Sequence, residues 1–131
     1  MPARTNAEVL RDSYEAFTRG DLHPLLDLLS DDVEWVDSTL GPLAGTYRGK
    51  GEVPRFFGKM MDVYQGALSV EVIDIIANDD YGVVLTRESG SVDGDRLAWT
   101  GVHQFSFDGR QLKRFVNYCS AEYQRYWAVQ S

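Results

Sequence analysis

The apolar positions of the chain recur first at helical and then at strand spacing. Leu10, Tyr14 and Phe17 stand at i, i+4 and i+7 and form one stripe, which predicts a first helix. Ahead of it Thr5-Asn6-Ala7-Glu8 reads as a capping box, in which a hydroxyl and a carboxylate satisfy orphan backbone N–H groups. Gly20 supplies a left-handed stop. Asp21 then caps a short second helix that carries Leu22, Leu25, Leu26 and Leu29 and tolerates Pro24 in its first turn. Ser30-Asp31-Asp32 reads as a turn. Val33-Glu34-Trp35-Val36-Asp37 alternates with a period of two, so Val33, Trp35 and Asp37 share one strand face. Gly41 through Gly49 reads as a loop, and Val53, Phe56, Phe57, Met60 and Tyr64 mark a third helix with Pro54 in its first turn.

From Leu68 the period changes to that of strands, over about 68–77, 81–90, 96–107 and 110–119. Asn78-Asp79-Asp80, Asp93-Gly94 and Asp108-Gly109 supply the turns, so the four strands form an antiparallel meander. Tyr123, Tyr126 and Trp127 return to helical spacing. Three helices ahead of a curved antiparallel sheet give the α+β class, with the helices on one face of the sheet. At 131 residues, with no repeat or low-complexity segment, residues 1–131 read as one domain.

Composition narrows the partners. Twenty acids against thirteen bases leave a net charge of −7, which repels a phosphate backbone or an anionic lipid surface, so neither nucleic acid nor a membrane is expected as a partner. No apolar run approaches the roughly eighteen residues of a membrane span. Met1 to Leu10 carries Arg4, Asn6 and Glu8 where a signal peptide needs apolar residues, and a cytoplasmic location is expected. Cys119, the single cysteine, cannot form an intramolecular disulfide and reads as a small buried hydrophobe. The unusual quantity is aromatic: three Trp, seven Tyr and six Phe.

Several chemistries fail on spacing. His23 and His103, eighty residues apart, do not make a zinc site. The Gly45–Lys50 segment is one residue short between its glycines for a phosphate loop, and no strand-bound Gly-x-Gly-x-x-Gly exists. No metal or cofactor is expected. What remains is acid/base chemistry. Asp37 shares its face with Val33 and Trp35, and a carboxylate entering an apolar space is suited to general-base work; alternatively it caps the Ser38-Thr39 turn in solvent. His103 lies on a face with Leu97, Trp99, Gly101, Phe105 and Phe107, as a catalytic group or as a satisfied core histidine. On the last strand Phe115, Asn117 and Cys119 are assigned inward, and Leu112, Arg114, Val116 and Tyr118 outward. Tyr14, on the core stripe of the first helix, is a further candidate.

The segments Tyr14–Leu22, Leu28–Trp35 and Gly45–Lys50, the Phe56-Phe57 pair and Phe107-Asp108-Gly109 together resemble the SnoaL-like and ketosteroid-isomerase-like branch of the nuclear transport factor 2-like superfamily, across about residues 6–127. The resemblance implies a cone-shaped sheet, an α+β barrel closed by helices around a deep apolar pocket, in a homodimer whose contact is the outer sheet face. It places Asp37 where ketosteroid isomerases keep their proton-moving carboxylate, and His103 where they keep an acid that hydrogen-bonds the developing enolate. Their oxyanion-hole tyrosine aligns with Ser13. Tyr14 is one position on, about 100° around the helix. The polyketide cyclases of the branch carry acids where this chain has Asn117 and Ser120. The epoxide hydrolases need an Arg and Asp two apart where it has Gly101 and His103.

The reading that combines these is a cofactor-independent acid/base enzyme, of isomerase, cyclase or dehydratase type, on a hydrophobic oxygenated small molecule such as a polyketide or terpenoid intermediate. Asp37 would move the proton, alone or with His103. His103, Tyr14 and Asn117 would hold the oxygen, and Trp35, Phe56, Phe57, Met60, Trp99, Phe105 and Phe115 would form the walls. The alternative is a non-catalytic ligand-binding or protein-interaction module of the same fold.

Overall fold

The computed structural model describes residues 4–130, so the first three residues of the Met1–Leu10 stretch and Ser131 lie outside the described residues. The helix α1, Asn6–Thr18, starts where the capping box predicts: Thr5 Oγ1 accepts from the Glu8 amide at 3.2 Å and donates to the Glu8 carboxylate at 3.1 Å. It ends at Gly20, whose φ of 80° is the left-handed conformation of a helix stop. Helix α2 is a single turn, His23–Leu26, opened by Asp21 accepting from the His23 amide. Helix α3, Val53–Tyr64, follows a one-turn 3₁₀ helix, Lys50–Glu52, and buries Val53, Phe56, Phe57, Met60 and Tyr64, the stripe the spacing predicts.

Six strands follow the order β2-β1-β6-β5-β4-β3 in one curved sheet. They are β1 (Leu29–Asp37), β2 (Gly45–Arg48), β3 (Ser69–Ala77), β4 (Tyr81–Val92), β5 (Asp95–Asp108) and β6 (Gln111–Cys119). The meander β3-β4-β5-β6 is antiparallel throughout, as the turns predict. β1 adds to its far edge in parallel with β6, so the sheet is mixed rather than antiparallel. Alternation shows which face a strand buries but not the direction of its neighbour. The sheet is not a closed barrel, since β2 and β3 end it without pairing to each other. Bulges in β1, β3 and near the start of β6 interrupt its ladders and add bend. Helix α4, Ala121–Gln130, forms where Tyr123, Tyr126 and Trp127 return to helical spacing and follows the sheet rather than preceding it like the other three, and its Tyr123 is buried in the core.

Five local expectations are corrected. Leu29 is not on the second helix; it opens β1 and pairs with Leu112 of β6. Ser30-Asp31-Asp32 is not a turn but the bulged start of the same strand, because the parallel partner β6 draws the backbone into the sheet. Gly45–Arg48 is an edge strand on β1, short and mostly exposed, with no alternation to betray it. Leu112 is fully buried rather than outward: one extra residue, Lys113, is unpaired between Phe107↔Leu112 and Ser106↔Arg114, which turns Leu112 to the side of Phe115. Val116, also expected outward, is buried as well.

Candidate active site

Between the inner face of the sheet and the helices lies a cavity of about 90 Å³. All seven predicted wall residues line it, together with Tyr14, Phe17, Tyr64 and Tyr123. Ten of the sixteen aromatic side chains therefore surround one space rather than filling a solid core. They fix one another: Trp35 stacks on Phe115 with centroids 3.9 Å apart, Phe56 and Phe57 meet Trp35 edge-on or tilted, and Tyr64 stacks on Trp99. The indole N–H of Trp35 is buried without an acceptor.

Polar atoms enter this shell at two poles. The first is built by register on β1 and β6. Asp37 pairs with Asn117, and Asn117 in turn pairs with His103 on β5, which sets three side chains in one row across the inner face. Asp37 is 3% exposed. Its Oδ1 accepts from the Thr39 amide at 3.1 Å and the Thr39 hydroxyl at 2.5 Å, and Oδ2 accepts from Asn117 Nδ2 at 3.1 Å. Both sequence readings thus meet in one residue: Asp37 caps its turn, yet does so inside the cavity rather than in solvent.

The second pole contains a residue that the sequence reading missed. Glu88 of β4 is buried, and its Oε2 stands 3.2 Å from His103 Nε2 and accepts from the Thr86 hydroxyl at 2.7 Å. On the other side of the imidazole, Nδ1 is 2.5 Å from the Tyr14 hydroxyl. Burial by itself raises the Glu88 pKa, but the hydrogen bond and positive charge of His103 and the Thr86 hydroxyl outweigh it and hold the carboxyl below its ordinary value. An ionised Glu88 only accepts, so Nε2 carries the proton that faces it, and in the neutral tautomer that this selects, Nδ1 accepts from Tyr14. Burial, and then the negative charge of Glu88, push the Tyr14 hydroxyl well above its ordinary pKa, so it remains a proton donor. Ser13, one position away, also lines the cavity but donates its hydroxyl to the Val9 carbonyl within the helix.

A glycine makes room for this chain. A Cβ at Gly101 would stand 2.5 Å from Glu88 Oε2 and 2.6 Å from Thr86 Oγ1. Glu88 was readable from the sequence through register: a two-residue Asp93-Gly94 turn sets Glu88 opposite Trp99, whose face is inward. Asp37 and His103 are not register partners. Asp37 and His103 lie on strands two spacings apart, roughly 9–10 Å between backbones, with Asn117 between them. Cys119 lines the same cavity, and burial, then the charges of Glu88 and Asp37, push its thiol far above the ordinary range. Among the described residues no group of three or more His, Cys, Asp and Glu side chains is placed to hold a metal, and no helix is long and apolar enough to cross a membrane.

An aromatic cavity roofed by helices on a six-stranded curved sheet defines the class of nuclear transport factor 2-like folds. A solved protein of that description from Burkholderia pseudomallei, of unknown function, superposes with a TM-score of 0.78 at 25% identity, covering 90% of this chain and 92% of its own. TerC, co-crystallised with polyporic acid, gives a TM-score of 0.79 at 22% identity over 96% of this chain and 98% of its own. An uncharacterised Mycobacterium tuberculosis protein is 31% identical over 84 residues, which are 64% of each chain, so this chain spans about two-thirds of that relative's length. Residues 10–115 match the SnoaL-like domain family, and the chain belongs to that family.

Proposed function

We propose that the protein is a cofactor-independent acid/base enzyme, of isomerase, cyclase or dehydratase type, whose substrate is a hydrophobic small molecule bearing a carbonyl. The observation that carries this reading is two buried polar poles, Asp37–Asn117 and Glu88–His103–Tyr14, facing one otherwise aromatic cavity. Asp37 takes the proton from the carbon beside the carbonyl, and the C–H electron pair moves into the carbonyl as an enolate. An oxygen beside Tyr14 competes with His103 Nδ1 for the phenolic proton, and a charged enolate is the stronger acceptor. The donor therefore turns to the ligand as charge develops, in a site where water does not screen it. Return of the proton at another carbon gives isomerisation; loss of a β-hydroxyl gives dehydration; attack of the enolate carbon on a second carbonyl gives cyclisation. The separation of the poles suits this division of labour, since the ligand bridges them. TerC's co-crystallisation with polyporic acid is in keeping with a small organic ligand in this fold.

A panel of model ketones tests this reading without the natural substrate. Cyclic ketones and enones are incubated with the protein in D₂O, and exchange of the protons beside the carbonyl is followed by NMR. Exchange with the wild type, lost in Asp37→Asn and in His103→Ala while both remain folded, supports the reading. Exchange that survives Asp37→Asn, or none across the panel, overturns it, and the cavity is then a binding site alone. A homodimer through the outer face of β5 and β6, where Val102 and Tyr118 are exposed opposite each other, in a cytoplasmic protein, belongs to the same proposal. A monomer in analytical ultracentrifugation at micromolar concentration overturns the dimer.

A further inference from the structure

The inner cavity is smaller than the ligands its walls suggest. About 90 Å³ holds little more than one ring, whereas pockets for drug-sized molecules run to roughly 300–1,000 Å³. A second space of about 470 Å³ lies against it, between the end of α1, the middle of α3 and the start of β3. Phe17, Phe57, Met60, Leu68 and Val70 line both, so the two spaces share a wall. Two features make that partition yielding. Met60 is unbranched and adaptable, and Phe17 and Phe57 meet with centroids 6.0 Å apart and a 48° tilt rather than in a closed stack. None of the residues lining the outer space is charged, and Thr18 and Ser69 are the only ones with side-chain hydroxyls. Both polar poles of the site line the inner space and neither lines the outer one.

We infer that the two spaces form one bipartite ligand site: the inner chamber takes an oxygenated ring, and the outer cleft takes an uncharged apolar extension of the same molecule, such as an alkyl or isoprenoid chain or further fused rings. This rests on the proposed function for the identity of the head group and adds the second half of the substrate. The continuity of the walls directs the occupant. A ligand whose head lies at Tyr14 and Asp37 leaves the inner chamber past Phe17, Phe57 and Met60 and enters the cleft. Its volume brings the whole site into the range that a polyketide- or terpenoid-sized molecule needs.

The experiment is a titration calorimetry series with 4-alkylphenols of one to eight chain carbons, whose flat ring and single hydroxyl imitate an enol. Affinity is expected to rise about fourfold per added methylene until the cleft is filled. The quantity read is the ratio of octyl to methyl affinity, and Thr18→Trp and Ser69→Trp, which fill the outer cleft alone, are expected to collapse it toward unity. A flat series in the wild type, or a rise that both variants leave intact, overturns the inference. If 4-methylphenol binds and the longer phenols gain nothing, the bipartite site fails while the acid/base reading stands. If the series rises but no proton exchange occurs, the acid/base reading fails and the bipartite site stands. Failure of every phenol to bind overturns the bipartite site.

Discussion

Gly101→Ala should destabilise the protein, against the ordinary sign of that substitution. Alanine in place of glycine inside a strand usually gains about 0.5–1 kcal/mol, because glycine loses more backbone freedom on folding. Gly101 has no positive φ that would forbid a side chain. The obstacle is the added methyl, 2.5 Å from Glu88 Oε2 and 2.6 Å from Thr86 Oγ1. Thr86 is the direct cross-strand partner of Gly101 and, being β-branched, has few rotamers to retreat into. Glu88 can move only by leaving His103 and Thr86, which strands a buried carboxylate. Overpacking costs about 1–3 kcal/mol and an unmet buried polar group about 1–3 kcal/mol, so a net loss of about 1–5 kcal/mol remains after the glycine gain. For a chain of this length that lowers Tm by roughly 4–18 °C. Urea and thermal unfolding at neutral pH measure it, and the ¹⁵N shifts of the His103 imidazole report whether Nε2 keeps its proton. An alanine variant as stable as the wild type, with those shifts unchanged, would refute the placement of Glu88 against His103.

The depressed pKa of Glu88 has a pH signature. A group lowered in the folded state contributes stability above its unfolded pKa, about 4.3, and loses it as pH falls through the folded value. The stability difference between wild type and Glu88→Gln should therefore be flat above about pH 5 and shrink in more acidic solution. A difference that grows on acidification contradicts an ionised Glu88. Tyr14→Phe leaves His103 Nδ1 buried without its donor and should cost about 1–3 kcal/mol in urea unfolding. In the deuterium assay it should slow exchange by about a hundredfold or more, as loss of a positioned proton donor does. Cys119 should react with iodoacetamide at pH 8 at least about tenfold more slowly in the native protein than in urea, because burial suppresses the thiolate; equal rates would show an open thiol.

The sequence was legible where one element decides its own structure. The capping box, the stripe of α3 and the turn residues of the meander place α1, α3 and β3 to β6 nearly to the residue, because caps, periodicity and turns are local. What was not legible depends on a distant partner. β2 exists because β1 offers it an edge, and the parallel pairing of β1 with β6 joins segments some eighty residues apart. The inward turn of Leu112 needs a bulge that no composition signal marks. In the site, Asp37, His103, Asn117 and the strand walls Trp35, Trp99, Phe105 and Phe115 were placed on the cavity side by face alternation, and Phe56, Phe57 and Met60 by the helical stripe. Glu88 was not, since both faces of β4 carry a charged residue, Glu88 on one and Arg87 on the other, and only the register across the Asp93-Gly94 turn separates them.

That register bears on why the polar chain exists at all. A core built for stability would hold an apolar residue at position 88: replacing a buried ion pair by well-packed hydrophobic side chains is commonly neutral or stabilising by about 1–4 kcal/mol. This chain instead leaves a gap at Gly101, in the strand at the centre of its meander, so that a carboxylate can reach a histidine, and sets a threonine beside it to complete the carboxylate's bonding. Glu88 is turned toward the ring of His103, which separates it from the Tyr14 hydroxyl at the opposite nitrogen. A satisfied core histidine needs one partner on each nitrogen, and a backbone carbonyl would serve. The carboxylate on Nε2, itself held by Thr86, fixes the orientation of the ring so that Nδ1 faces Tyr14. The arrangement is therefore more specific than packing requires: it holds the imidazole on both nitrogens and keeps the Tyr14 hydroxyl, whose pKa burial and the charge of Glu88 raise, as a proton donor that lines the cavity.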